Sequence, residues 1–487
     1  MAKHKEENTL AEAKSKNAIL ATEIVHTGEK LTLPTGVTLE QGIELLQRRI
    51  QYESQKTVVF EVFDAFPLDG AVQLDTVLNR LYGWAPAAAI PGFFGDNPPA
   101  LISVEIGFGK VRQVPWGRFL LPNVAGFIQT SVQGKEGRYC FSIQSECLRR
   151  DEPVVRRLFE EVRKEIAGNS IYRGQAVRIN FLDDNDEPIP MPQPKFLDTD
   201  SVDDNKLVLS DHLMRAVQTN LFTPITRTLD CIANGIAVKR GVLLGGTFGT
   251  GKTMIAHVAS KYAVQSGITF LYIKKATELA LAIEFARQYQ SPACVIFCED
   301  IDREVTGERT EEMDAVLNTI DGIDSKTSNI IVVLTTNDIK GIHPAMLRPG
   351  RLDAVIDVTA PDGGAIQRLI KVYAAGALDP DADLTEVGET LAGNIPAVIA
   401  EVVKRAKLSQ LSLQDRGTKV TKLTAAALLD SAKTIQAQVL LLNPAAAAPA
   451  PALDQALADV VRRAFNGNHE AIQDIERRTR EIHEHIL

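Results

Sequence analysis

Cysteine is scarce in this 487-residue chain, and Cys140, Cys147, Cys231, Cys294 and Cys298 form an odd, scattered set. They include no C-x-x-C pair and no histidine at ligand spacing, so no zinc site of familiar pattern is expected. Cys294 and Cys298 lie in an apolar run and read as small core residues. Long apolar runs are missing as well. None reaches the length of a bilayer span, and the lysines of MAKHKEENTLAEAKSK are not followed by the apolar segment of a signal peptide. The expected location is cytoplasmic. An excess of positive charge is also absent. A formal net charge of −9 weighs against nucleic acid or an anionic membrane as the main partner, a local basic patch apart.

What is present is ordinary globular composition, 45% hydrophobic and 24% charged, with length for roughly three domains. Residues 1–34 are polar and read as a mobile tail. Residues 35–182 mix helical and strand patterns. Leu39–Ile50 has helical spacing, Thr57–Phe63 reads as a strand and Ala71–Tyr82 as an amphipathic helix. Gly126–Gln133 and Arg138–Gln144 form a hairpin pattern about Gly134-Lys135-Glu136-Gly137, a helix runs from Asp151 to about Ile166, and Gln175–Phe181 is a further strand. The pattern is that of an α+β domain with no evident catalytic cluster. Trp84, Trp116, Phe93 and Phe94 are expected in its core, a partner-binding surface being the alternative. Residues 183–207, with acidic runs and four prolines, have the composition of a linker.

Gly241–Thr253 reads GVLLGGTFGTGKT. Apolar Val242-Leu243-Leu244 leads into a glycine-rich turn ending in Lys252-Thr253, and a helical pattern follows from Met254 to Tyr262. Gly246, Lys252 and Thr253 satisfy G-x-x-x-x-G-K-[ST], the strand-loop-helix that binds phosphate. Gly246, Gly249 and Gly251 allow positive φ and close approach of backbone amides, and the helix adds the positive end of its dipole. Lys252 would reach the β/γ-phosphates, and the Thr253 hydroxyl would ligate Mg2+. A glycine-rich turn with an exposed lysine would share the spacing, but strand and helix lie where phosphate binding needs them. Nucleotide contacts are therefore expected from Gly246, Thr247, Phe248, Gly249, Thr250, Gly251, Lys252, Thr253 and Met254.

Downstream, strand and helix patterns alternate through Thr269–Ile273, Thr277–Tyr289, Cys294–Cys298, Glu311–Ile323, Asn329–Thr335 and Val355–Val358. That alternation predicts a parallel sheet with helices on both faces, its chemistry collected at the carboxyl ends of the strands. The strand Cys294–Cys298 delivers Glu299 and Asp300, acids suited to Mg2+ and a hydrolytic water. The strand Ile330–Thr336 ends at Asn337, able to orient that water. Ala345–Asp353 then reads AMLRPGRLD.

Together these residues resemble the AAA+ ATPases, specifically the AAA subgroup with its second region of homology, from about Leu209 to Leu442. GTFGTGKT looks like the family's Walker A and CEDID occupies its Walker B position, while TTND resembles sensor 1 and LRPGRLD the segment with arginine fingers. The resemblance implies ATP with Mg2+, the metal held by Thr253 and Glu299, and Arg348 and Arg351 reaching the γ-phosphate of a neighbouring subunit. It further implies a homo-oligomeric ring, most often a hexamer. Gly235-Ile236 resembles the family's adenine-side contact, and Gly393-Asn394 its sensor 2 region. The implied fold is α/β: an AAA+ parallel-sheet ATPase subdomain (208–361) with a helical lid (362–442), preceded by the α+β domain. An Ala/Pro linker (443–452) and C-terminal helices (453–487) follow.

Two departures bear on mechanism. The family's acidic pair runs Asp then Glu, whereas Glu299 precedes Asp300; in this register Glu299 organises Mg2+ and the shorter Asp300 polarises the water, so turnover could be slow. Lys274–Glu284, where threading relatives carry an aromatic pore loop, has only eleven residues and no aromatic, and reads as a compact helix start. A threading loop on Leu279 and Leu281, or on Val305–Arg309, is the alternative. The functions left open are an ATPase remodelling a macromolecular client, expected to be protein, a slowly hydrolysing ATP-bound assembly scaffold, and a DNA-transaction motor.

Overall fold

The computed structural model describes residues 25–27, 30–83, 88–93, 95–135, 138–301, 328–339, 352–412, 414, 419–420 and 422–442. Two compact units divide the chain, Met1–Thr359 and Ala360–Leu487. Arg348, Arg351, Asp302, Val305–Arg309, Trp84, Phe94, residues 1–24 of the expected tail 1–34 and the C-terminal helices 453–487 lie outside the described residues, whereas the end of that tail is paired, Val25–Thr27 antiparallel to Lys30–Thr32.

The first unit holds two principal sheets. A four-stranded antiparallel sheet is built from β1 (Lys56–Phe63), β2 (Arg118–Phe119), β3 (Gly126–Lys135) and β4 (Arg138–Leu148), in the order β1-β4-β3-β2. The β3–β4 hairpin pairs Lys135 with Arg138 and continues to Gly126 opposite Cys147, longer at both ends than the alternating pattern predicts. Helices α1 (Pro67–Tyr82) and α2 (Glu152–Asn169) pack together on this sheet. Val155, Leu158, Phe159, Val162 and Ile166 are all buried, the single apolar face expected of a helix of period 3.6.

The second sheet has seven strands: β5 (Ala176–Arg178), β6 (Lys195–Phe196), β7 (Arg240–Gly245), β8 (Thr269–Ile273), β9 (Cys294–Cys298), β10 (Ile330–Thr336) and β11 (Ala354–Asp357), in the order β6-β5-β8-β9-β10-β7-β11. Every neighbour pair is parallel except β5–β6. All residues of β9 and β10 are buried, which is why these strands read as unbroken apolar runs rather than alternating ones. Helix α3 (Lys252–Gln265) follows β7, and α4 (Leu279–Tyr289) joins β8 to β9. Because β10 lies between β7 and β9, its carboxyl end falls between the phosphate loop and the acidic pair, in the crevice where such sheets bind ligands.

The expected boundary at 183–207 is not where the fold divides. Strand β5 enters the nucleotide sheet, Ala176 opposite Phe270 and Arg178 opposite Tyr272, and β6, from within the predicted linker, pairs with β5. One apolar core runs from Phe63, Phe66 and Phe141 through Tyr172 to Phe285 and Tyr289. Phe66 meets Phe285 edge-on with centroids 5.2 Å apart, and Tyr172 meets Tyr289 at 5.9 Å. At the centre is Asp69, fully buried, which accepts from Ser170 Oγ at 2.7 Å, Ile171 N at 3.1 Å, Gln73 Nε2 at 3.2 Å and Tyr289 Oη at 3.1 Å. Tyr289 Oη in turn accepts from Phe66 N at 2.9 Å. Of the aromatic residues expected in the core, Trp116 packs against Phe141, whereas Phe93 is 96% exposed at the tip of a short hairpin, Ile90–Gly92 with Gly95–Asn97.

Ahead of β7 the helical segment is broken into Asp211–Val217, a π-turn Gln218–Phe222, Thr223–Thr226 and Thr228–Ala233. Pro224 supplies no amide for an unbroken ladder. In the second unit, α5 (Gly363–Ala374) is capped by Asp362, which accepts from Ala365 N at 2.7 Å. It packs with α6 (Thr385–Thr390) and α7 (Pro396–Ser412), and α7 packs on α8 (Ala425–Leu442). Among the described residues no helix is long and apolar enough to cross a membrane.

Truncating Asp69 strands several buried donors at once, so Asp69→Ala should cost about 3 kcal/mol in chemical denaturation, against about 1 kcal/mol for Tyr289→Phe. Burial raises the Asp69 carboxyl above the ordinary value for aspartate, despite the hydrogen bonds that oppose it. The folded chain therefore binds this proton more tightly than the unfolded one. The stability gap between wild type and Asp69→Ala should accordingly narrow as pH rises from the usual carboxylate range through the raised value.

Candidate active site

The site is built at the carboxyl ends of β7, β9 and β10 and at the start of α3. Strand β7 is held at its first residues by Asp353, whose N–H donates to Gly241 O at 2.7 Å and whose Oδ2 accepts from Gly241 N at 2.8 Å. This aspartate closes the LRPGRLD sequence, so the motif's described end anchors the strand that presents the phosphate loop. The loop then needs glycine. Gly246 has φ +139°, and a Cβ there would lie 2.3 Å from Val358 O, while Gly251, at φ +110°, turns the chain into α3.

Lys252 begins that helix with only 7% of its surface exposed. Its Nζ donates to Gly246 O at 2.5 Å, Thr247 O at 3.0 Å and Asn337 Oδ1 at 2.9 Å. Buried charge is tolerated here because carbonyl dipoles surround the ammonium. Asn337 turns its amide the other way, Nδ2 donating to Asp300 Oδ1 at 2.9 Å. Asp300 is fixed from behind as well, its N–H donating to Thr335 Oγ1 at 2.9 Å, and it has φ +47°. A non-glycine residue in this region is strained by about 1–3 kcal/mol, and such residues cluster at functional sites.

Glu299 lies on the other side. Thr253 Oγ1 donates to its Oε1 at 2.9 Å and Tyr272 Oη to its Oε2 at 2.5 Å. Burial, followed by the hydrogen bond to Glu299, pushes the Tyr272 phenol well up from its ordinary value; it remains a donor throughout the neutral range. A pocket of about 250 Å3 joins these parts, lined by Phe248, Gly249, Gly251, Lys252, Thr253, Glu299, Asp300, Thr335 and Asn337. A hydroxyl and a carboxylate oxygen 2.9 Å apart form a hard-oxygen pair of the kind Mg2+ selects. Beside them, the loop whose Gly246 cannot accept a Cβ is a backbone cradle for phosphate, so the donor set fits Mg2+ with a nucleoside triphosphate.

Within the first unit, not every expected contact lines this pocket. Thr250 is buried and donates to Thr247 O at 2.9 Å, serving the loop's shape. Met254 lines a separate cavity of about 420 Å3 together with Tyr272, His257 and Arg178. Gly235, at φ +69°, and Ile236, 52% exposed, close the turn after Thr228–Ala233, Ile236 N donating to Cys231 O. Gly393 and Asn394 belong to the second unit, where Asn394 Nδ2 donates to Leu391 O at 3.0 Å. Conversely, Thr335 and Tyr272 hold the acidic pair without having been singled out in the sequence. Tyr272 was findable only through the strand register that places it opposite Phe297, two residues before Glu299. As for Lys274–Glu284, Leu279 is buried, Leu281 packs on the core, and Glu278 accepts from Phe181 N at 2.6 Å and Leu182 N at 3.1 Å; the segment is docked rather than projecting as a loop.

Asn337→Ala should leave ATP affinity within about threefold and slow single-turnover hydrolysis about 10²-fold, as for removal of one preorganised donor. Lys252→Ala should instead weaken nucleotide binding itself by about 30–100-fold, the loss of a charge-assisted contact. Nucleotide titrations beside rapid-quench kinetics separate the two.

Comparison with known proteins places the segment that carries this site in a family. The family model "ATPase family associated with various cellular activities (AAA)" matches residues 242–360. An ATP-dependent zinc metalloprotease FtsH of Rhodococcus erythropolis is 31% identical over 210 residues, 39% of this chain and 24% of that protein. FtsH 2 of Sorangium cellulosum is 33% identical over 192 residues, 36% and 32% of the two chains, and FtsH of a Synechococcus species 28% over 239 residues, 45% and 35%. The matched segment thus spans between 24% and 35% of these relatives' own length. On the family match and the relatives together, the chain contains an α/β ATPase domain of the AAA family over residues 242–360, a family that uses ATP and Mg2+.

Proposed function

We propose that the chain is a ring-forming ATPase, a homo-oligomer and most simply a hexamer, that couples ATP binding and hydrolysis to the remodelling of a macromolecular client, a protein. The observation that carries this reading is the unbroken contact series Thr253–Glu299 and Lys252–Asn337–Asp300 around one pocket. In it, Lys252 and the loop amides bind the phosphates, Thr253 and Glu299 hold Mg2+, and Asp300 polarises the attacking water with Asn337 setting its direction. Arg348 and Arg351 of the adjacent subunit complete the site; an arginine supplied in trans can contribute about 10³ or more in rate by neutralising transition-state charge. Proteins named as ATP-dependent metalloproteases among the relatives support a protein client, the proteolytic part of their names being theirs.

The fused core gives the client reading a route for work. Helix α4 is shared by the nucleotide sheet and the aromatic cluster around Asp69, so residues 35–182 follow any displacement of α4. A slowly turning assembly scaffold is the second reading, supported by Asp300, whose short arm is held by Asn337 at 2.9 Å and whose backbone is strained.

Phosphate release by the purified full chain decides between them: turnover at least tenfold above Lys252→Ala, rising further with an unfolded protein, is expected of the remodeller, and a rate equal to that variant leaves the scaffold. Subunit mixing tests the shared site. Arg348→Ala/Arg351→Ala and Asp300→Asn chains should each be inactive alone and regain activity together, and no recovery in confirmed mixed rings removes the arginines from the neighbour's site.

A further inference from the structure

The order of the acids, Glu299 before Asp300, leaves a problem of reach that the opposite strand solves. Side chains two residues apart in a strand share a face, so Glu299 continues the face of β9 that carries Phe297. Tyr272 lies directly across from Phe297 on β8, its ring stacked on that phenylalanine with centroids 5.7 Å apart and planes 29° from parallel. Phe297 is stacked on Phe270 in the same way at 6.3 Å. The aromatic column fixes the plane of the phenol, and its hydroxyl extends along the strand to Glu299, the diagonal neighbour within reach of a long side chain.

We propose that Tyr272 is a positioning residue for the metal site: by donating to Oε2 it holds Glu299 in the rotamer that turns Oε1 toward Thr253, and so fits a glutamate to Mg2+. A glutamate has one more rotatable bond than an aspartate and loses more freedom when fixed. The Tyr272 hydrogen bond meets that cost in advance, as outer partners of metal-binding carboxylates do. Phenylalanine at 272 would keep the stack and remove only the donor. The same arrangement accounts for the division between the acids, since Tyr272 and Thr253 both engage Glu299 while Thr335 and Asn337 engage Asp300.

The proposal rests on Glu299 being the metal-holding acid, and its test keeps the two apart. Mg2+ is titrated into the full-length chain with a non-hydrolysable ATP analogue, for wild type, Tyr272→Phe, Glu299→Gln and the double variant, with analogue affinity in EDTA measured in parallel. Tyr272→Phe should weaken Mg2+ binding about tenfold, leave metal-free analogue affinity unchanged, and add nothing in the Glu299→Gln background, since it acts through that carboxylate. Unchanged or tighter Mg2+ binding in Tyr272→Phe, beside a clear loss in Glu299→Gln, overturns the role of Tyr272 alone. An equal loss in both backgrounds, or a parallel fall in metal-free affinity, overturns it too, marking a general packing effect. Wild-type Mg2+ affinity in Glu299→Gln removes the metal-holding role of Glu299, and the proposal with it.

Discussion

The carboxylate of Glu299 accepts from two consecutive elements, the first turn of α3 through Thr253 and the neighbouring strand β8 through Tyr272. The remainder of the site is arranged by the same parallel register. Because β10 is interposed between β7 and β9, Thr335 near its end and Asn337 just beyond it fall between the lysine and the second acid, Thr335 accepting from Asp300 N and Asn337 touching both sides. In an extended strand, neighbouring side chains diverge to opposite faces of the sheet; the strained backbone at Asp300 is a departure from that alternation, and both acids line one pocket. Each acid then has its own partners, and their chemical tasks can differ.

The same sheet is also a mechanical joint. Its outer strands β5 and β6 are supplied by the chain that precedes the nucleotide segment, and α4 carries Tyr289 into the buried cluster around Asp69. Where a threading motor would display a loop after β8, Glu278 instead accepts two backbone amides at 181–182. A buried carboxylate that accepts two backbone amides is a rigid connection, since breaking it strands polar groups in the interior. Residues 35–182 are therefore joined to the nucleotide sheet through packed contacts and not through an extended linker.

Much of this was legible in residue order. GTFGTGKT, the acids after β9 and Asn337 after β10 carry their chemistry in types and spacings, and unbroken apolar runs such as Ile330–Leu334 mark strands buried on both faces. The division into domains was less legible. Strands of three and two residues, Ala176–Arg178 and Lys195–Phe196, are too short for periodicity to register, and a proline- and aspartate-rich segment has the same composition whether it is tethering or packed. Tyr272 was invisible for another reason: its function depends on which residue stands opposite it, and inter-strand register is set by the whole sheet. Phe93, apolar yet almost wholly exposed, illustrates that hydrophobic character does not assign burial one residue at a time.

The central claim is that the two acids have exchanged places in sequence while the tasks follow position, Glu299 holding the metal and Asp300 the water. Binding and single-turnover hydrolysis of Mg2+-ATP by Asp300→Asn measures this directly. The account predicts near wild-type affinity, with undiminished dependence on Mg2+, and hydrolysis slowed by about 10²–10⁴, the usual contribution of a positioned general base. Hydrolysis within a fewfold of wild type, or loss of the Mg2+ dependence of binding, would contradict it.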